Sequence, residues 1–579
     1  MSDTGLDAIR LGGNAFANTL IGNAGDNVLN GGAGADRLYG YAGDDSYIVD
    51  DASDRVFETD GGGTDMVRTS VSFTLSAGQE IETLRTMSDT GLDAIRLGGN
   101  AFANTLIGNA GDNVLNGGAG ADRLYGYAGD DSYIVDDASD RVFETDGGGT
   151  DMVRTSVSFT LSAGQEIETL RTMSDTGLDA IRLGGNAFAN TLIGNAGDNV
   201  LNGGAGADRL YGYAGDDSYI VDDASDRVFE TDGGGTDMVR TSVSFTLSAG
   251  QEIETLRTMS DTGLDAIRLG GNAFANTLIG NAGDNVLNGG AGADRLYGYA
   301  GDDSYIVDDA SDRVFETDGG GTDMVRTSVS FTLSAGQEIE TLRTMSDTGL
   351  DAIRLGGNAF ANTLIGNAGD NVLNGGAGAD RLYGYAGDDS YIVDDASDRV
   401  FETDGGGTDM VRTSVSFTLS AGQEIETLRT MSDTGLDAIR LGGNAFANTL
   451  IGNAGDNVLN GGAGADLLYG KGGSDTFAFS SNLGSVNVDR LTDFSVPEDT
   501  IQLARAVFRA LTTGQLAETA FKDLGNAGAV VDASDRILYN HKNGALSYDA
   551  DGNGTASTAV QFAVIGTKET LTHLDFLVA

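Results

Sequence analysis

The chain is 579 residues long and carries 87 acidic against 34 basic side chains, a formal net charge of −53, with no cysteine and no tryptophan. Disulfides, thiolate metal sites and thiol nucleophiles are therefore excluded, and an acidic surplus without a basic patch excludes nucleic acid as a partner. No stretch reaches the roughly 18 apolar residues of a membrane span, and the opening MSDTGLDAIRLGG has neither the basic nor the apolar region of a cleaved signal peptide.

That opening recurs at Met1, Met87, Met173, Met259, Met345 and Met431, an interval of 86 residues. The first five copies (1–86, 87–172, 173–258, 259–344 and 345–430) are identical. A sixth (431–479) matches as far as Tyr469 with Leu467 in place of arginine, and a tail (480–579) follows. Such a repeat predicts a solenoid, in which each unit buries its apolar face only against its neighbours. The first copy starts in mid-frame, without the IETLRT that precedes every later one, which predicts a piece of a longer array. So acidic a chain needs counter-charge to fold.

Within a copy, Ile9 and Leu11 alternate with polar neighbours in a short strand expected over Asp3 to Gly13. Four nonapeptides follow: GNAFANTLI from Gly13, GNAGDNVLN from Gly22, GGAGADRLY from Gly31 and GYAGDDSYI from Gly40. Each has glycine at position one, Asn or Asp at position six and a large apolar residue at position eight. Three have a second glycine at position four, where the first has Phe16. Val49 to Phe57 keeps Asp54 and Val56 in frame but has lost the glycines. Nine residues suit a turn of about six, whose glycines reach positive φ cheaply, and a strand of about three whose central side chain points inward.

Two nines make one coil, so residues 18 apart stack: Asn18, Asp36 and Asp54 on one edge, Asn27 and Asp45 on the other. Strands about 4.8 Å apart bring successive carboxylates and turn carbonyls to a gap that a cation with ligands at about 2.3 to 2.6 Å bridges. Calcium, a hard ion taking oxygen ligands, suits that gap. The plainer reading of any Gly-Asp turn is a solvated Asx-turn; a frame kept four times over in an unneutralised chain favours the ion. Asp54, without its glycines, stays open between the two. The rest of the copy predicts a turn at ETDGGGTD, which includes Asp60, a half-buried strand from Val67 to Leu75, a turn at SAGQ and a strand from Ile81 through Leu84.

These nonapeptides resemble the GGxGxDxUx repeat of the RTX (repeats-in-toxin, hemolysin-type) family. The resemblance implies an all-β parallel β-roll of tandem 86-residue repeats, closed by a small mostly-β carboxy-terminal cap. It implies Ca2+ in the turns, at Asn18, Asn27, Asp36 and Asp45 and, copy by copy, at Asn104, Asn113, Asp122 and Asp131, at Asn190, Asn199, Asp208 and Asp217, at Asn276, Asn285, Asp294 and Asp303, at Asn362, Asn371, Asp380 and Asp389, and at Asn448, Asn457, Asp466 and Asp475. The Asn positions and Phe16 depart from the family pattern, so the upstream turns are expected to bind more weakly. The resemblance also implies secretion through type I machinery without a cleaved leader. The final LTHLDFLVA is similar to the uncleaved carboxy-terminal signals of that route, and DRLTDFSVPEDTIQL is similar to segments that close RTX rolls.

In the tail, Leu503, Val507 and Leu511 recur every four residues and predict a short helix over Thr500 to Leu511. Strands are expected at 536–540, 545–549 and 559–565. DADGNG from Asp549 matches half of an EF-hand loop, but Val560 stands where the final glutamate belongs, which favours a hairpin turn. The five complete copies contain no His, Lys or Cys, the histidines being His541 and His573, and neither HExxH nor GxSxG occurs. A non-catalytic extracellular adhesin or matrix scaffold is therefore expected, with a cell-surface or matrix polysaccharide as partner. The alternatives are a spacer from a larger RTX enzyme or toxin, and a β-helical polysaccharide lyase or epimerase, which needs one distinct cleft.

Overall fold

A computed structural model describes residues 4–58, 62–144, 148–230, 234–316, 320–402, 406–496 and 498–579; Asp3 and Asp60 lie outside them. The chain divides into two compact units, Met1–Arg295 and Leu296–Ala579, and both are parallel β-solenoids.

In the first copy the strands are β1 (Arg10–Gly12), β2 (Thr19–Ile21), β3 (Val28–Asn30), β4 (Arg37–Tyr39), β5 (Ser46–Val49), β6 (Arg55–Phe57), β7 (Met66–Thr69), β8 (Phe73–Thr74) and β9 (Thr83–Thr86). Odd and even strands form opposite walls. Thr19 pairs with Arg37 and Arg37 with Arg55, while Val28 pairs with Ser46, so the 18-residue coil holds through the nonapeptides. The position-eight residues Leu20, Leu29, Leu38, Tyr47 and Val56 all point inward and are buried. Each contributes on the order of 1.5 to 3 kcal/mol by leaving water.

Position one must be glycine because the turn folds back over it: a Cβ on Gly31 would lie 2.0 Å from Asp36 Oδ2. Position two of the same turn, Gly32, has φ +77°, a region most side chains avoid.

Beyond the nonapeptides the coil length varies. Ser46 pairs with Met66, 20 residues on, and Met66 with Thr83, 17 on. The single strand expected over Val67 to Leu75 is in fact two strands on opposite walls. Thr69 Oγ1 donates to the Val71 carbonyl at 2.7 Å and accepts from Val71 N–H at 3.1 Å, and this turn carries the chain across. Nine strands per copy among the described residues is an odd number, and it decides the wall in the amino-terminal unit. Thr83 of β9 pairs with Thr105, the counterpart of Thr19 on an even strand. Within that unit each copy therefore presents its surface on the wall opposite to that of the copy before it.

Among the described residues the ladder breaks once per copy, between β6 and β8, which do not pair. Gln79 bridges the gap by donating from its side-chain amide to the Val56 carbonyl. The break opens a cleft of about 690 Å³ lined by Ser53, Arg55, Ser72, Thr74 and Arg96.

In the carboxy-terminal unit the expected helix over Thr500 to Leu511 is not formed. Thr500–Leu503 is a strand stacked parallel on Thr476–Phe479, and residues 504–511 make turns, with Phe508 N–H donating to the Ala504 carbonyl. The alternation of buried Ile501 and Leu503 supplies the next rung, which outweighs a spacing of four in so short a segment. The other tail strands form close to expectation at Ile537–Asn540, Ala545–Tyr548 and Val560–Ile565, the last two as an antiparallel hairpin whose loop carries Asp549, Asp551 and Asn553.

Val560–Ile565 covers the end of one wall by pairing with Asp489–Leu491, and Phe576–Val578 covers the other by pairing with Thr500–Leu503. The terminal segment that resembles a secretion signal is thus also a capping strand, with Phe576 fully buried. Phe576→Ala is expected to destabilise the cap by about 3 to 5 kcal/mol, measured as faster amide exchange at Thr500–Leu503. Exchange unchanged from the parent would show that this strand is not holding the wall closed.

Candidate metal centre

Each position-six aspartate closes its turn with one oxygen. Asn18 N–H donates to Asp36 Oδ1 and Asn27 N–H to Asp45 Oδ1, both at 2.6 Å across one coil. The same bond recurs from Asn104 to Asp122, Asn113 to Asp131, Asn190 to Asp208, Asn199 to Asp217, Asn276 to Asp294, Asn362 to Asp380, Asn371 to Asp389, Asn448 to Asp466 and Asn457 to Asp475, all between 2.6 and 2.8 Å. The second oxygen has no such role. Oδ2 of Asp36, Asp45, Asp122, Asp131, Asp208, Asp217, Asp380, Asp389 and Asp466 is buried without a hydrogen-bond partner.

The asparagines are used differently. Asn104 Oδ1 accepts from Asn100 N–H at 2.8 Å while its Nδ2 donates to the Ile81 carbonyl at 2.7 Å. Asn113 Oδ1 accepts from Asn109 N–H at 2.7 Å and its Nδ2 donates to Asn109 Oδ1 at 2.9 Å. Both ends of these amides are occupied, within their own turn or on the coil before it. Asp54, left open by the sequence, is occupied on both oxygens: Oδ1 accepts from Asp36 N–H at 2.9 Å, and Oδ2 from Asp50 and Asp51 N–H at 3.3 Å.

Two acidic residues that the frame did not reveal lie beside Asp45. Tyr39 pairs with Phe57, so Glu58 occupies the rung position that glycine fills at Gly22 and Gly40. Asp65 stacks under Asp45, whose N–H donates to Asp65 Oδ1 at 2.8 Å. Asp45, Glu58 and Asp65 are all buried and bring carboxylate oxygens within 4.8 Å of one another. The grouping recurs at Asp131, Glu144 and Asp151 and in the next three copies. Tyr47, buried in the core, donates its hydroxyl to Glu58 Oε2 at 2.7 Å. The signal for Glu58 was in the sequence, as a glutamate at a glycine position; Asp65 was hidden by the 20-residue coil.

Burial raises these carboxyls from the usual 3.8, with Glu58 adding repulsion: Asp45 to about 7 and Asp65 to about 8, although backbone N–H groups pull the other way. In the second copy Asp131 reaches about 8 and Asp151 about 7, again chiefly through burial. Arginine gives little relief, since Arg85 and its equivalents pair with Asp89 and its equivalents outside the turns. Buried carboxylate oxygens without hydrogen bonds are costly unless something positive meets them. A donor set made wholly of oxygen, repeated along both edges, fits a hard divalent cation and calcium above the softer metals.

No curated protein matches the chain. The family described as the RTX calcium-binding nonapeptide repeat (4 copies) matches six times, at residues 12–47, 98–133, 184–219, 270–305, 356–391 and 442–477. These stretches contain every nonapeptide turn and every unpartnered aspartate oxygen named above. The chain thus carries RTX calcium-binding nonapeptide repeats in six tandem blocks.

Proposed function

We propose that this calcium-binding RTX protein is secreted by a type I route and acts outside the cell as a non-catalytic adhesin or matrix scaffold for an acidic polysaccharide. The observation that carries the reading is an outward strip on β4 and β6. Exposed Arg37 and Arg55 are neighbours in the ladder, and beside them the rings of Tyr39 and Phe57 stack 4.4 Å apart and 6° from parallel. The strip runs into the cleft at the ladder break, which Arg55 and Arg96 line.

Flat aromatic surface flanked by guanidinium groups matches sugar rings that bear carboxylates. The ring pair recurs in all five complete copies. Repetition of one modest site gives avidity rather than turnover.

Binding to an immobilised polyuronate tests this. A five-copy chain is expected to be retained at least about 100-fold more strongly than a one-copy chain of the same fold. Arg37→Ala with Arg55→Ala, made in every copy, should abolish retention while leaving the calcium-bound circular dichroism unchanged. Equal retention of the substituted chain, or release of unsaturated sugar from the polymer, would overturn the reading.

A further inference from the structure

We propose that Asp45, Glu58 and Asp65, with their four repeats, form a second class of calcium site, in which two carboxylates from outside the nonapeptides join the aspartate of the last glycine turn, once per complete copy. The inference rests on the calcium-binding reading of the array and adds a site that the nonapeptide frame does not contain. Two of its three ligands, Glu58 and Asp65, lie outside residues 12–47.

Three observations converge. The three carboxylates sit within 4.8 Å of one another, and an ion with oxygen ligands at about 2.4 Å spans oxygens up to about 4.8 Å apart. Asp45 is 1% exposed and its Oδ2 is buried without a hydrogen-bond partner. That atom is aimed into the group: a Cβ on Gly40 would lie 2.2 Å from Asp45 Oδ2 and 2.0 Å from the Tyr47 hydroxyl, so these two atoms stand at most 4.2 Å apart. The same hydroxyl is 2.7 Å from Glu58. Asp45 Oδ2 and Glu58 Oε2 are thus both neighbours of the one Tyr47 hydroxyl.

The sixth copy acts as an internal control. Its counterpart of Tyr47 is Phe477, its Asp475 N–H meets Asp499 instead, and no such triad is found there among the described residues. Asp493 takes the rung of Glu58 there, opposite Gly470, but its two oxygens accept from Gly470 N–H at 2.9 Å and Lys471 N–H at 3.0 Å rather than from a phenol. An ion in the triad would join the last glycine turn to the longer coil that follows, where the strict frame ends.

Calcium stoichiometry tests the site directly. Glu→Gln is introduced at Glu230 alone and then additively at Glu144, Glu316, Glu58 and Glu402; glutamine keeps an acceptor for the tyrosine. Equilibrium dialysis is expected to lose one ion per substitution, five in all, with the β-spectrum in calcium retained. If the fully substituted chain does not fold, the Glu230→Gln chain still decides by the loss of a single ion.

A second measurement locates the ion. The chain has no tryptophan, so terbium emission must be sensitised by tyrosine. Tyr47→Phe with its equivalents should dim that emission while the ion count stays the same. An ion count unchanged by the Glu→Gln series, or emission unchanged by Tyr47→Phe, overturns the proposal. A parent chain that binds no calcium at all overturns the underlying reading of the array instead.

Discussion

Freed of divalent cations at pH 8, the chain is expected to lose most of its β-type circular dichroism and to regain it cooperatively as calcium is added back. Carboxylates about 5 Å apart repel by roughly 0.8 kcal/mol per pair even at the dielectric of water, and the repulsion is repeated along both edges of each solenoid. The binding free energy of the ions is then folding free energy. Protons can partly substitute for them. Asp45, Asp65, Asp122 and Asp131 stand at about 7, 8, 7 and 8 in the folded chain against 3.8 for the unfolded one, in each case first through burial. Between those values the folded state holds more protons than the unfolded state, so stability falls as pH rises. This contribution is fully present below about pH 4 and is gone above about pH 8.

A metal-free sample is therefore expected to show substantial β-structure near pH 5 and little at pH 8, and saturating calcium should flatten the difference. Thermal melts at both pH values, with and without calcium, check this. Identical metal-free and calcium-loaded melts at pH 8 would contradict it, as would a metal-free chain that grows more stable with rising pH.

Much of this architecture is legible in the residues, and the gaps have physical causes. Glycine at position one and leucine at position eight define a turn and an inward side chain, so the 18-residue coil and the stacking of Asp36 over Asp54 follow from spacing alone. Where coil length is set by insertions, spacing is silent: Asp65 falls 20 residues after Asp45, and nothing local marks it as the next rung. The strand count behaves the same way. Whether a copy holds eight strands or nine depends on the Thr69 turn, and that single turn decides which wall the next copy uses. Thr500 to Leu511 misled for the opposite reason, because an apolar spacing of four was present and the adjoining solenoid wall took the same residues as a strand.

The contrast between Asp36 and Asp54 allows coordination to be separated from simple turn-building. Asp36 keeps one oxygen buried without a donor, whereas both oxygens of Asp54 accept backbone N–H groups. Asparagine is tolerated at position six, as Asn18 and Asn27 demonstrate on the same edges, so Asp→Asn tests charge with little change of shape. Asp36→Asn with its equivalents at Asp122, Asp208, Asp294 and Asp380 should raise the calcium midpoint at least tenfold. The same change should make the metal-free chain more stable, because an uncompensated buried charge has been removed. Asp54→Asn with Asp140, Asp226, Asp312 and Asp398 should instead destabilise the fold with or without calcium, by about 1.5 to 3 kcal/mol per site for the loss of hydrogen bonds to a charged acceptor. The readouts are calcium titrations followed by circular dichroism and metal-free melts at pH 7, where Asp122 is about half ionised and the parent keeps part of its structure. Opposite signs in the metal-free melts identify Asp36 as a ligand and Asp54 as a turn cap; a loss of stability in both sets would make Asp36 a turn cap as well.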